Sequence, residues 1–121
     1  MNDEEYMAEA LKEAEIAMSE DEVPIGCIIV YEGQIIARTH NQKETLKKAT
    51  GHAEILAINQ ASEYLDLWHL DGCTMYVTLE PCMMCTGAII QSRMSRLVIG
   101  TNVSRWPGFI ELIENNTVNH H

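Results

Sequence analysis

The run Pro81-Cys82-Met83-Met84-Cys85 constrains this chain more than any other stretch. The strand-like run Cys73 to Leu79 comes directly before it, and the small-residue helical run Thr86 to Ile90 directly after. Thiols at i and i+3 in the first turn of a helix point the same way. The helix N-terminus carries partial positive charge, which favours thiolates over thiols. Two convergent thiolates are a metal half-site or a redox pair. Thirty residues upstream of Cys82 stands His52-Ala53-Glu54, also where a helix should start. Together these residues form a set: His52, Cys82 and Cys85 as three zinc ligands, a fourth position open for water, and Glu54 as general acid and base.

Other readings of the same residues fit the pattern less well. A thioredoxin-like redox pair needs no upstream His-x-Glu and usually follows an early strand. A structural zinc site wants a fourth protein ligand at close spacing. The spare residues His40, His69, Cys27 and Cys73 lack that spacing. Glu54 alone could be an acid that complements the helix dipole. A silent zinc-binding subunit would not need a proton shuttle, so the presence of Glu54 argues against it.

At 121 residues the chain has room for one domain with an ordinary core. It has no apolar run of membrane-spanning length, and its N-terminus is acidic and amphipathic. Those patterns predict neither a transmembrane span nor a secretory signal. The four cysteines then read as thiols or ligands rather than a disulfide framework. The net charge of -10 looks hostile to nucleic acid, but it is uneven. Residues 1–22 hold nine acids and one base, Lys12; residues 23–121 hold nine acids and seven bases. Arg38, Lys43, Lys47 and Lys48 fall in the expected loop before His52, either as a modest basic patch or as an ordinary solvated loop.

Along the chain, Met7, Leu11, Ala14 and Met18 predict the buried face of a helix over 3–19. Residues 27–31 and 34–37 predict an antiparallel hairpin turning at Glu32-Gly33, with Cys27 as a core thiol. Residues 40–51 read as polar loop. Residues 52–65 read as a helix apolar on most of its circumference, one face against the sheet and the other suited to an oligomer interface. Trp68, Met83 and Met84 read as core filler and His69 as a surface residue. A strand over 74–79, a helix over 83–92 and a strand over 96–100 predict a right-handed parallel crossover. Beyond it, Trp106-Pro107-Gly108 predicts a turn and residues 109–114 a short helix.

With these stretches set out, the chain resembles the bacterial-type tRNA adenosine deaminases of the cytidine-deaminase-like superfamily. The matching stretches are Glu22-Val23-Pro24-Ile25-Gly26, His40-Asn41, His52-Ala53-Glu54-Ile55, Trp68 with Leu70, and Tyr76-Val77-Thr78-Leu79-Glu80-Pro81-Cys82. The match continues through Met84-Cys85, Gly87-Ala88-Ile89-Ile90 and Ser92-Arg93. The resemblance implies a three-layer α/β/α cytidine-deaminase-like fold with a mixed sheet and an antiparallel first hairpin. It implies one Zn²⁺ per chain and a cytoplasmic homodimer. It implies hydrolytic deamination of adenosine to inosine at the wobble position of a tRNA anticodon. Asn41 would bond the target nucleoside, and Val23, Pro24, Ala53, Leu79 and Glu80 would line the base pocket.

Two departures from that family bear on substrate. Where the family usually carries an acid near the target sugar, this chain has Val103, with Arg105 in place of a lysine and Trp106 beside it. A carboxylate able to accept a bond from a 2′-hydroxyl is therefore absent, which bears on RNA against DNA. Trp106 suits either base stacking or a core or interface position. The sequence stops at residues resembling the family's Asn-His, Asn119-His120, so the family's last strand and helix are expected to be missing from one domain spanning 1–121. The alternative expectation is a relaxed deaminase acting on adenine or cytosine in single-stranded DNA, or on free bases and nucleosides.

Overall fold

The computed structural model describes residues 1–100. The expectations for Val103, Arg105, Trp106, the turn at 106–108, the short helix at 109–114 and Asn119-His120 lie outside the described residues.

Eight elements follow one another: α1 (Asp3–Ser19), β1 (Gly26–Tyr31), β2 (Gln34–His40), α2 (Lys43–Leu46), α3 (Ala53–Leu65), β3 (Cys73–Val77), α4 (Met83–Gln91) and β4 (Arg96–Ile99). The strands form one sheet in the order β2-β1-β3-β4. β1 is antiparallel to both β2 and β3, and β3 pairs parallel with β4 through the α4 crossover. The expected hairpin and crossover are therefore present. Alternation along the strands sorts the side chains into two layers. Ile28, Val30 and Tyr76 meet Tyr6 and Ala10 of α1 on one face. Cys27, Ile29, Met75 and Val77 meet Ala53, Ala57 and Ala61 of α3 and Ile89 of α4 on the other. The fold is thus a three-layer α/β/α sandwich around a mixed sheet.

The register fixes where a site can form. With β1 antiparallel to its two neighbours, its start and the ends of β2 and β3 share one edge of the sheet. Helices α3 and α4 both begin near that edge. Their N-termini, with unpaired N–H groups and partial positive charge, converge there.

Several expectations are corrected. The buried face of α1 is Tyr6, Ala10, Ala14 and Ala17 with Glu13, while Leu11 and Met18 are exposed. The reason is close approach: a Cβ on Gly26 would fall on the Ala10 carbonyl oxygen and the Ala14 amide. Only small side chains let the helix lie that near the strand. Trp68 is not core: it is 65% exposed, with the Arg93 guanidinium 5.2 Å from its ring centroid. His69 is half-buried, its Nδ1 2.8 Å from Asp71. Met83 and Met84 are exposed as well, because Cys85 takes the inward side of the same helical turn. Arg38 belongs to β2 rather than to a loop, and the loop that follows contains the short α2. Cys27, expected in the core, is fully buried.

Asn2 and Glu5 form a capping box that starts α1. Asp3 then accepts hydrogen bonds from Arg96 (2.9 Å) and the Tyr76 hydroxyl (2.7 Å), pinning the helix start to β4 and β3.

Replacing Gly26 with Ala should cost about 2–3 kcal/mol, since backbone must move to admit the methyl. Guanidinium denaturation of the zinc-loaded protein measures it. A loss below about 0.5 kcal/mol would show that α1 slides freely on the sheet.

Candidate metal centre

His52 is the N-cap of α3 and Cys82 the N-cap of α4, and Cys85 sits one turn inside α4. The His52 Nδ1 lies 3.7 Å from the Cys82 Sγ and 3.5 Å from the Cys85 Sγ. All three ligand atoms fall within 4.8 Å of one another, so the group can hold a metal ion. Zinc–sulfur and zinc–nitrogen bonds of about 2.3 and 2.0 Å imply tetrahedral N-to-S edges of about 3.5 Å. The observed spacings fit that ion without rearrangement.

The electrostatics point the same way. Cys85 donates a hydrogen bond to Cys82, whose thiol is brought down to about 5 chiefly by that bond; the Cys85 thiol is correspondingly pushed up. A cation between the two sulfurs would let both be thiolates. Glu54 is 3% exposed and its Oε1 has no hydrogen-bond partner. Burial pushes its pKa up to about 7. A buried carboxyl with one oxygen unpartnered beside a metal-ligand set is placed to carry a proton. A cation at the ligand set favours its ionised form.

The other expected residues surround this point unevenly. Ala53 is fully buried and its carbonyl accepts a bond from the Thr39 hydroxyl at 2.6 Å, tying α3 to β2. Asn41 is 3% exposed, and its N–H donates to the Ile25 carbonyl at 3.0 Å, beside the entry to β1. Leu79 and Glu80 are half-buried after the end of β3, where Thr78 exchanges hydrogen bonds with Gly26. Val23 and Pro24 are exposed on the segment that leads into β1. All of them flank the same sheet edge.

Two supporting residues, Glu22 and His40, were given no supporting role by sequence reasoning. The buried Glu22 carboxylate accepts bonds from the Thr45 hydroxyl (2.7 Å) and from the N–H groups of Thr45 and Glu44, and these hold its pKa down. It therefore anchors α2. His40, next to Asn41, is held at both ring nitrogens, by Glu13 at 3.0 Å and Glu20 at 2.9 Å. Burial alone would lower its pKa, but the two carboxylates outweigh burial and raise it. The only sequence signal for this clamp is the surplus of acids in α1.

A family model described as MafB19-like deaminase matches residues 1–121. The tRNA-specific adenosine deaminase of Bacillus subtilis (strain 168) is 52% identical over 98 residues, covering 81% of this chain. The chain spans 61% of that relative's length. The tRNA-specific adenosine deaminase of Aquifex aeolicus (strain VF5) is 42% identical over 123 residues, covering 99% of this chain and 82% of the relative. A solved structure from studies of A-to-I editing by tRNA deaminases at the wobble position of transfer RNA superposes with a TM-score of 0.90. It has 39% identity and covers 97% of this chain and 87% of its own. A guanine deaminase from Bacillus subtilis superposes with a TM-score of 0.82 at 31% identity, covering 98% of this chain and 73% of its own.

Two outcomes follow from this geometry. Cys85→Ser should weaken metal binding by well over the ~100-fold that loss of a mere supporting group costs. Cobalt titration followed by its thiolate charge-transfer band measures this, and an unchanged band would remove Cys85 from the ligand set. For His40, a raised native pKa means its stabilisation is full below the unfolded value of about 6.5 and lost as pH rises through the native value. The stability gap between the wild type and His40→Gln should therefore shrink from mildly acidic to alkaline pH. A gap that stays constant would show that His40 is not clamped as a cation.

Proposed function

The chain belongs to the MafB19-like deaminase family, and we propose that it hydrolytically deaminates adenosine to inosine in RNA, at the wobble position of a tRNA anticodon. The observation that carries this reading is the ligand triangle of His52, Cys82 and Cys85 with Glu54 buried beside it. The relatives named as tRNA-specific adenosine deaminases support the substrate. In this reading His52, Cys82 and Cys85 hold one zinc ion. Bound zinc supplies a water acidified enough to attack an amino-bearing ring carbon at neutral pH.

The chain's own residues do the rest. Glu54 takes a proton from the attacking water, gives it to the neighbouring ring nitrogen and then assists departure of the amine as ammonia. Its burial keeps that proton from bulk solvent. Asn41 is fixed through its backbone to Ile25. In this reading its side chain bonds the nucleoside, and Ala53, Leu79, Glu80, Val23 and Pro24 wall the base. The geometry requires a base taken out of any stack, which an anticodon loop offers cheaply.

Assembly and location complete the reading. Tyr64, Leu67, Trp68, Met83 and Met84 leave apolar surface exposed around α3 and α4. That surface suits a second copy of the chain, hence a homodimer. No helix among the described residues is long and apolar enough to cross a membrane. A tRNA substrate supports a cytoplasmic location. The guanine deaminase among the structural neighbours motivates one second reading, deamination of a free purine base.

The zinc-loaded protein should form inosine from an anticodon stem-loop with adenosine at the wobble position. Glu54→Ala should cut the rate by 10²–10⁴-fold, about the range for a positioned acid and base. Turnover of free guanine or adenine with none on the stem-loop would overturn the RNA reading. Equal rates on ribo- and deoxy-stem-loops would make the enzyme a general single-strand deaminase.

A further inference from the structure

The four bases that precede His52 do not share one fate. Arg38 is neutralised by α1, with its guanidinium 2.9 Å from Glu9 and 3.6 Å from Glu13. Lys12 is likewise held by Glu9 at 2.7 Å. Lys43, Lys47 and Lys48 are exposed, and none has an acidic partner within 4.0 Å among the described residues. Glu44 is the only acid on the same segment. Among the described residues, a chain of net charge -10 therefore displays at this segment a cluster of three lysines without acidic partners.

The segment is built rather than loose. Glu22 anchors its first turn through the Glu44 and Thr45 N–H groups. The Lys48 N–H donates to the Lys43 carbonyl at 3.1 Å, and the Gly51 N–H to the Lys48 carbonyl at 3.0 Å. The neck is closed by the Gln42 N–H donating to the Gly51 carbonyl at 2.8 Å. A Cβ on Gly51 would lie 2.9 Å from the Lys43 Cα, so this neck closes only with glycine. The two residues flanking the neck are Asn41 and His52, both assigned to the site. Lys43 is two residues from Asn41, so their Cα atoms are at most about 7 Å apart.

A lysine ammonium is a compact point charge that suits a phosphate and reads no base. Because the loop is already ordered, engaging a polyanion here costs little backbone entropy. We propose that Lys43, Lys47 and Lys48 form a docking surface for the backbone phosphates of RNA nucleotides flanking the target adenosine. This rests on the RNA deaminase reading above and adds to it the path of the strand across the protein. The surface sets RNA affinity and leaves the chemical step alone.

The test is binding of a fluorescent anticodon stem-loop to the zinc-loaded protein over a range of salt, with inosine kinetics in parallel. The variants are Lys43→Gln/Lys47→Gln/Lys48→Gln, the corresponding triple arginine variant, and Lys12→Gln as a control. The slope of log affinity against log salt should fall by about 2 in the triple glutamine variant, at about 0.7 per phosphate lost. KM should rise at least ~10-fold with kcat unchanged, while the arginine variant and Lys12→Gln should behave as wild type. A wild-type slope and KM in the triple glutamine variant would overturn the proposal. So would an equal effect of Lys12→Gln, which would mean that net charge alone matters. The two readings fail separately. Wild-type protein that makes no inosine sinks the deaminase reading, whereas the slope comparison still decides the lysines.

Discussion

Like charges gathered in a buried place repel unless a cation sits between them, and this fold gathers them at one point. The N-termini of α3 and α4 bring two thiols and a carboxyl together with an imidazole. In water each group would ionise according to its own affinity for protons. Here Cys82 is brought down, Cys85 pushed up and Glu54 raised toward neutrality. A divalent cation at tetrahedral distance lets both sulfurs be thiolates. The helix dipoles add favourable potential for negative charge at the same place. The site is therefore a set of ligands whose geometry already fits the ion.

The remainder of the structure holds that point in place. The antiparallel pairing of β1 with β2 and β3 delivers three strand ends to one edge, so Asn41 fastens to Ile25 and Thr78 to Gly26 by backbone and hydroxyl bonds. Thr39 joins β2 to the first residue of α3. On the far face, α1 lies close enough that glycine is needed at position 26. Its acids then reach around the edge of the sheet to Arg38 and His40. What looks like surplus acid on a surface helix is partly the counter-charge of β2.

Much of this was legible in the sequence where a short pattern has one physical solution. The short β-branched runs at 27–31 and 34–37 and the turn at Glu32-Gly33 yield the hairpin, and the spacing of Cys82 and Cys85 yields convergent thiols. What was not legible depends on distance between elements far apart in the chain. Large apolar side chains suggested that Leu11 and Met18 face the core; close packing selected the alanines instead. Trp68 looked like filler because of its size, yet Arg93 covers its exposed ring from another element. The segment at 43–46 is polar throughout, and its single turn depends on Glu22, about twenty residues upstream. For Asn41, Leu79 and Glu80 the resemblance supplied the roles, and the sheet register supplies the reason that they can act together.

Net charge is a poor guide to the partner of this chain because the fold sorts the charges. Glu9 and Glu13 are spent on Lys12, Arg38 and His40, and Glu22 on the backbone of α2. Once those are paired, the segment beside the site is locally cationic although the molecule is acidic as a whole. Long-range repulsion is screened within about a Debye length, roughly 8 Å at physiological salt, whereas contacts at the mouth of the site are not. An anionic substrate therefore feels the local sign of the loop more than the global sign of the protein. The fold itself does not choose the base, since a guanine deaminase shares it. Selection of the base falls to the groups that line the sheet edge, because phosphate contacts at a cationic loop position a strand without reading its bases.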